Sequence, residues 1–313
     1  MNEIHVVSGA GPVGWTVAEQ LAERGLHVRV LTRSGSGPEH PLVERRRVDV
    51  SDPAALDAAF DGAVSIYHCI HGSAYSAKAW RAELPAAEQV VLEAAGRIGA
   101  VVVFPESLYS YGHVDATMTE DTPRTASTGK LGVRTELLRA REASATPTVS
   151  VAASDFFGPQ VRTAHAGERM IPTSLAGKTM RVIGDLDQPH SWTYVPDLAA
   201  AMITAALDRK LWNRFLFAPT GPALTQRELI ATFAAAAGVP VPKSAAIPVW
   251  ALKAVGVVHG DTRELAETAY QFARPFVMDS TQSERLLGLA PTPMAQAAEQ
   301  TVQWWRGELA SAA

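Results

Sequence analysis

Val6-Val7-Ser8-Gly9-Ala10-Gly11-Pro12-Val13-Gly14 is the stretch on which the reading of the chain turns. A short β-rich run enters three glycines spaced Gly9-x-Gly11-x-x-Gly14, and a helical pattern follows to about Arg24. Each glycine has its own physical task. Gly9 permits a tight turn, Gly11 lets a pyrophosphate approach the backbone, and Gly14 lets the helix pack on the strand. Amides left unpaired at the start of a helix then hold phosphate charge. The spacing alone is a weak signal, but strand, turn and helix in that order make Gly9, Gly11, Pro12, Val13 and Gly14 a candidate dinucleotide cradle.

Outward from this turn, short Val/Ile-rich runs alternate with helical stretches. Strands are predicted over Ile4 to Ser8, His27 to Leu31, Arg47 to Val50, Val64 to His68, Val101 to Phe104 and Thr148 to Ala152. Such brief apolar runs suit strands buried on both faces. Helices are predicted over Val13 to Arg24, Pro53 to Phe60, Ala77 to Ile98 and Lys130 to Ser144, with Gly25 and Gly99 placed to end two of them. The alternation predicts an α/β fold, a Rossmann-type doubly wound parallel sheet. After Gly158-Pro159 the texture changes. A helical piece near Met170 to Leu175 and a strand near Met180 to Ile183 precede a last core segment, the helix Pro196 to Leu207 and the strand Arg214 to Phe217. From Thr225, where Thr225-Gln226-Arg227-Glu228 reads as a capping box, the pattern is helical. The expected division is a nucleotide-binding domain of 1–157 plus 193–218 and a smaller, mostly helical substrate lobe of 158–192 plus 219–313. A ligand cleft is expected between them.

Bulk composition narrows the partners. A net charge of -4 gives no basic footprint for nucleic acid or an anionic membrane. One cysteine, Cys69, excludes a disulfide framework and any multi-cysteine metal site, and suits a reducing cytoplasm. The histidines His5, His27, His68 and His71 show no metal-ligand spacing, so no metal is expected. Neither a secretory leader nor a transmembrane run is read in the chain. A homodimer is the default for the architecture, by analogy.

The end of the second strand names the cofactor. An acid there would bind the ribose 2′-hydroxyl. This chain has Thr32-Arg33-Ser34, so Arg33 is expected to pair with a 2′-phosphate, with Thr32 and Ser34 donating to it. NADP is therefore expected ahead of NAD. Asp49, beside Val50, is placed to accept from the adenine amino group.

Taken together, the glycine turn, Asp49-Val50-Ser51-Asp52-Pro53, Tyr67-His68-Cys69, Ser107-Leu108-Tyr109-Ser110-Tyr111-Gly112, Asp155-Phe156-Phe157-Gly158-Pro159 and Ser191-Trp192-Thr193-Tyr194-Val195-Pro196-Asp197 resemble the extended short-chain dehydrogenase/reductases, the NAD-dependent epimerase/dehydratase family. The terminal stretch, with Leu287-Gly288 and Thr292-Pro293, resembles it too, so the likeness spans nearly the whole chain. It implies that His68, Cys69 and Ile70 border the cofactor.

The departures bear on the chemistry. The family's glycine turn commonly has one more residue. Its Tyr-x-x-x-Lys-x-x-x-Glu helix maps onto Thr128, Gly132 and Glu136, and sliding the frame to use Lys130 puts Ala126 at the tyrosine. No tyrosine occurs between Tyr111 and Tyr194. In the family's usual mechanism a tyrosine hydroxyl moves a proton while the nicotinamide moves a hydride, and the lysine lowers the tyrosine pKa. Thr128 is too weak an acid for that and can only donate a hydrogen bond. By the resemblance Ser107 orients the substrate oxygen, and Tyr109, where sugar-nucleotide dehydratases carry an acid, is the preferred substitute. Asp155 is a second candidate. Lys130, turned away from Thr128 and Gly132 on a regular helix, is expected in solvent, and Tyr111 is expected to pack. His190 and His165 are candidates to enter the cleft and titrate. Trp80, Phe157, His190 and Trp192 are expected to line the substrate pocket, and Trp304-Trp305 to pack the last helix.

Three readings follow: an NADP(H)-dependent oxidoreductase or epimerase acting on a small, apolar carbonyl or hydroxyl compound; a redox-neutral isomerase, dehydratase or lyase on the same scaffold; and a non-catalytic NADP sensor resembling the regulatory NmrA-like proteins.

Overall fold

A computed structural model describes residues 3–311. Its strands are β1 (Ile4–Ser8), β2 (His27–Thr32), β3 (Val43–Arg47), β4 (Ala63–His68), β5 (Val101–Ser107), β6 (Thr148–Ala153), β7 (Asp155–Phe157), β8 (Met180–Ile183), β9 (Trp192–Tyr194), β10 (Arg214–Phe217) and β11 (Ser244–Ile247). Seven of them form one parallel sheet in the order β10-β6-β5-β4-β1-β2-β3. The order reverses direction at β1, which puts the C-terminal ends of β1 and β4 at the topological switch point, where ligands bind in such sheets.

Strand alternation sorts the core. Val7, Val101, Val103, Val149 and Val151 face α1 (Pro12–Glu23) and α6 (Val195–Leu207). Val6, Leu31, Ile66, Val102 and Phe104 face α2 (Pro53–Ala59) and α3 (Ala77–Ile98). Both faces of the sheet are thus covered, as the near-continuous valine runs required. Next to α3 lies α4 (Gly129–Glu142), also against β6. Caps fall where the sequence put them. Asp52 accepts from the Ala54 amide before Pro53, Gly99 ends α3 in the left-handed conformation at φ 72°, and Thr225 and Glu228 close a full capping box on α7 (Gln226–Ala237).

A second apolar core joins α7 to α5 (Ile171–Leu175) and α11 (Met294–Ser311). Trp305 packs there against Trp304. The remaining helices are α8 (Val249–Gly256), α9 (Gly260–Thr268) and α10 (Thr281–Leu287).

Two expectations about elements are corrected. The third strand is Val43–Arg47, not Arg47 to Val50. As an edge strand it pairs only with β2, so its Val-Glu-Arg-Arg-Arg needs no apolar alternation. Val50 instead turns into the core beneath α2, after a turn closed by Asp49. The strand expected near Met180 to Ile183 is present as β8, but its partner β11 and the pair β7–β9 were missed, the last being strands of only three residues.

Candidate functional site

Gly9 sits at φ +92°, and a Cβ there would stand 2.9 Å from the Cys69 carbonyl oxygen. A Cβ on Gly14 would stand 2.0 Å from the Gly9 carbonyl oxygen. Gly11, which caps α1, differs: nothing lies within 4 Å of its missing Cβ. Two glycines thus serve the packing of turn, strand and helix, and the third leaves open space in front of the helix start. The first-turn amides of α1 have no intrahelical partners. That cradle fits the pyrophosphate of a dinucleotide.

Beyond β2, the Thr32 hydroxyl donates to the Ser36 carbonyl at 3.0 Å and the Ser34 hydroxyl to the Ser36 hydroxyl at 2.8 Å. The register pairs Thr32 with Arg47, and the Arg47 Nε donates to the Arg33 carbonyl at 3.4 Å. The Arg47 side chain, the Arg33 backbone and the hydroxyls of Ser34 and Ser36 therefore lie together past the end of β2. Arg47 was missed in the sequence; a run of arginines beside a strand that lacks the terminal acid was the available signal. Asp49 accepts both the hydroxyl and the amide of Ser51, which, with the Arg33 charge adding, holds its carboxyl below the usual range. One of its oxygens is thus committed to its own turn.

At the end of β4, burial pushes His68 down to about 4 and Cys69 up to about 12, so one is a neutral imidazole and the other a thiol. His68 Nδ1 meets the Ser8 hydroxyl at 3.0 Å and its ring packs on Phe104. The ring therefore serves the core, which leaves His68 only its backbone to offer a cofactor.

The chemical end lies past β5 and β6. Ser107 caps a 3₁₀ turn over Leu108–Tyr111, its hydroxyl taking the Tyr109 amide at 3.4 Å and donating to Glu106 at 3.3 Å. Glu106 is itself fixed by a buried charge network with Arg134, Arg141 and Glu88. Tyr109 stacks on Trp80, with ring centroids 6.2 Å apart, and its hydroxyl meets that of Tyr75 at 2.7 Å. Tyr75 in turn meets the Thr268 hydroxyl at 3.1 Å. Burial, with Tyr75 and Asp155 nearby, raises Tyr109 well above an ordinary tyrosine. It is a hydrogen-bonding phenol, not an activated one. Tyr111 packs, its hydroxyl bonded to the Thr119 carbonyl.

The expectation for Lys130 is overturned. Its side chain is 0% exposed and its Nζ lies 2.6 Å from carboxylate oxygens of both Glu264 and Glu267 on α9. The reason is local. Gly129, at φ +58°, starts α4 out of regular helical geometry, so a rotation counted from Thr128 does not apply. A Cβ on Gly129 would stand 1.6 Å from a Glu267 carboxylate oxygen, so only glycine admits this approach. Thr128 lies outside the helix, exposed, and its hydroxyl makes no hydrogen bond among the described residues. The structure does not bring it to Ser107, Tyr109 or Asp155 by any hydrogen bond.

All four expected pocket residues are core residues, Trp80, Phe157, His190 and Trp192 each being 1% exposed. Phe157 packs on Tyr194 and Phe233, and Trp192 donates its Nε1 to the Leu224 carbonyl beneath the lobe. His165 is likewise interior, bonded to Gln226 at 2.7 Å, and burial lowers it to about 4. The Trp80 ring stacks on that of Tyr109. His190 lies behind Asp155 at 2.9 Å. An open depression of ≈ 410 Å³ is lined by Gln20, Arg24, Tyr194, Asp197 and Thr292 at the far end of α1, and so is not this site.

Solved structures share the fold. The UDP-glucuronic acid 4-epimerase of Bacillus cereus, in complex with NAD, is 16% identical with a TM-score of 0.77, over 97% of this chain and 99% of that one. The UDP-glucose 4-epimerase of Thermotoga maritima, with UDP-glucose, is 18% identical with a TM-score of 0.76, over 98% and 99%. No curated protein sequence matches. The sequence model of the NAD dependent epimerase/dehydratase family matches residues 4–213. With the switch-point glycine cradle in place, the chain belongs to the NAD-dependent epimerase/dehydratase family.

Proposed function

We propose that this enzyme is an NADP(H)-dependent oxidoreductase or epimerase acting on a small, largely apolar carbonyl or hydroxyl compound. The observation that carries the reading is the line from the open side of Gly11, past Cys69, to a cleft that holds Tyr109, Tyr75 and Asp155 against the Trp80 ring. Bound there, the cofactor would supply or accept a hydride. The protein's part is to seat the pyrophosphate on α1, to hold the 2′-phosphate with Arg33 and Arg47, and to position the substrate oxygen among hydroxyls. Relatives with NAD bound leave the choice of dinucleotide to this chain's own residues, and Thr32-Arg33-Ser34 offers no acid to a ribose diol. The aromatic wall favours a small substrate over a sugar nucleotide. A single free thiol, partly buried, suits the cytoplasm, and a homodimer suits the architecture.

A redox-neutral dehydration or isomerisation is the second reading, favoured by the Asp155 carboxyl paired with His190. Titration with NADPH, read by fluorescence enhancement and blue shift, tests the binding. Absorbance at 340 nm across a panel of carbonyl compounds, and of alcohols with NADP+, tests the reaction. No binding overturns the reading; tight binding without turnover makes the protein a sensor instead.

A further inference from the structure

Asp155 opens β7, with one residue between it and the end of β6, and the His190 ring lies behind it. His190 Nε2 is 2.9 Å from Oδ2 of Asp155, and Nδ1 is 3.1 Å from the carbonyl oxygen of Gln271. A carbonyl oxygen only accepts, so Nδ1 carries a hydrogen. Nε2 and Oδ2 then face one another. A neutral imidazole and an ionised carboxylate would set two lone pairs against each other at that distance. One proton between them removes the conflict, whichever atom carries it, and leaves the couple neutral overall.

The couple is held rigidly. The His190 amide donates to the Leu224 carbonyl, and its ring is packed by Trp192 at 4.4 Å and Phe272 at 4.8 Å. His190 is 1% exposed, whereas the Asp155 side chain keeps 22% of its surface open. The exit for the stored proton is therefore the carboxyl. The titratable groups facing Asp155 are the hydroxyls of Tyr75, Tyr109 and Tyr270, each of which its charge pushes up, and His165, which lies near both members.

We propose that Asp155 hands this proton to the substrate oxygen and that His190 is the positioning residue that stores it. The inference rests on the reading that a carbonyl or hydroxyl carbon reacts with the nicotinamide in this cleft. In the reducing direction a bound reduced dinucleotide would supply the hydride to the carbonyl carbon. The carbonyl π pair moves onto oxygen, and the oxygen takes the couple's proton. Asp155 is left as carboxylate and His190 as neutral imidazole, and water restores the proton. In the oxidising direction the couple, having first given its proton to water, receives the proton of the substrate hydroxyl.

The test compares Asp155→Asn and His190→Gln with the native enzyme in three measurements. Fluorescence titration with NADPH is expected to give the same affinity for all, which reports an intact fold. Ring-nitrogen NMR on protein labelled with 15N-histidine is expected to show His190 changing, in D155N, to the pattern of a neutral ring protonated only at Nδ1. On the panel compounds that the native enzyme turns over, D155N is expected to lose about 10²–10⁴-fold in kcat. H190Q is expected to lose less and to move the pH profile. Identical His190 signals in the native protein and D155N overturn the couple. Near-native turnover by D155N overturns its role as proton donor. If the native enzyme binds NADPH and turns over nothing, the underlying reading fails and the role falls with it, an outcome distinct from a loss confined to the variants.

Discussion

The Nζ of Lys130 lies 4.7 Å from the centroid of the Tyr75 ring. A tyrosine and a lysine from different parts of the chain therefore meet at the cleft, although the family's Tyr-x-x-x-Lys spacing is absent. The pair does not reproduce that chemistry. Lys130 is held by two glutamates and faces the ring of Tyr75, not its hydroxyl, and burial raises Tyr75 above an ordinary tyrosine. The couple fastens α9 over α4 and the loop before α3; it does not make a base.

That role has a measurable size. Lys130→Met leaves Glu264 and Glu267 side by side without their cation. Since both carboxylates keep some solvent access, the expected loss is about 3 kcal/mol, the lower end for breaking a buried pair. The midpoint of urea unfolding should fall accordingly, with little dependence on salt. An unchanged midpoint would mean that the lysine is dispensable to stability.

The three glycines of the turn should respond differently to one added methyl group. Gly14→Ala forces a Cβ onto the Gly9 carbonyl and is expected to destabilise by about 1–3 kcal/mol, the usual cost of overpacking. Gly11→Ala meets no protein atom, so the melting temperature should hold. NADPH affinity should nevertheless drop by about tenfold or more, equivalent to at least about 1.4 kcal/mol. Calorimetry with and without NADPH separates the two, and normal binding by Gly11→Ala would place the pyrophosphate elsewhere.

On the proposed NADP(H) reading, Arg33→Ala and Arg47→Ala would each remove one charge-assisted contact to a 2′-phosphate. Such bonds are worth about 1.5–3 kcal/mol, which corresponds to about 10- to 100-fold in NADPH affinity. NADH affinity should not move. Equal losses for both dinucleotides would show that the arginines serve the turn and not the phosphate.

Acid sensitivity should trace in part to His68. Its folded pKa is lowered to about 4, beneath the unfolded value. Above the unfolded value of about 6.5 both states are neutral and the residue contributes nothing to pH dependence. As pH falls below that, the unfolded chain binds a proton that the folded one refuses, so stability declines until pH nears the folded value. The loss is on the order of 3 kcal/mol across that window. Urea midpoints of native protein and His68→Asn at several pH values between 7 and 4.5 should show a shallower slope in the variant, by about one proton. Parallel slopes would remove His68 as a cause.

The sheet and most helices were legible because two-sided burial writes valine runs into β1, β4, β5 and β6, and because Asp52, Gly99 and Thr225 mark helix ends by local chemistry. The edge strand β3 was not, since a strand buried on one side at most leaves its charges unpatterned. At the site, Gly9, Gly11 and Gly14 were readable because their roles are backbone roles within one turn. Lys130 was not, because its partners Glu264 and Glu267 lie more than a hundred residues away and nothing near Lys130 announces them. Asp155 and His190 were each noticed alone, but their meeting depends on β7 pairing with β9, two strands too short to foresee.

The run Glu44-Arg45-Arg46-Arg47 along β3 has a consequence for self-association. Backbone groups on an outer strand invite a second molecule to extend the ladder. Here any copy arriving in that way would bring its own arginines against these, and the like charges repel. Growth of the sheet beyond this border is thereby discouraged.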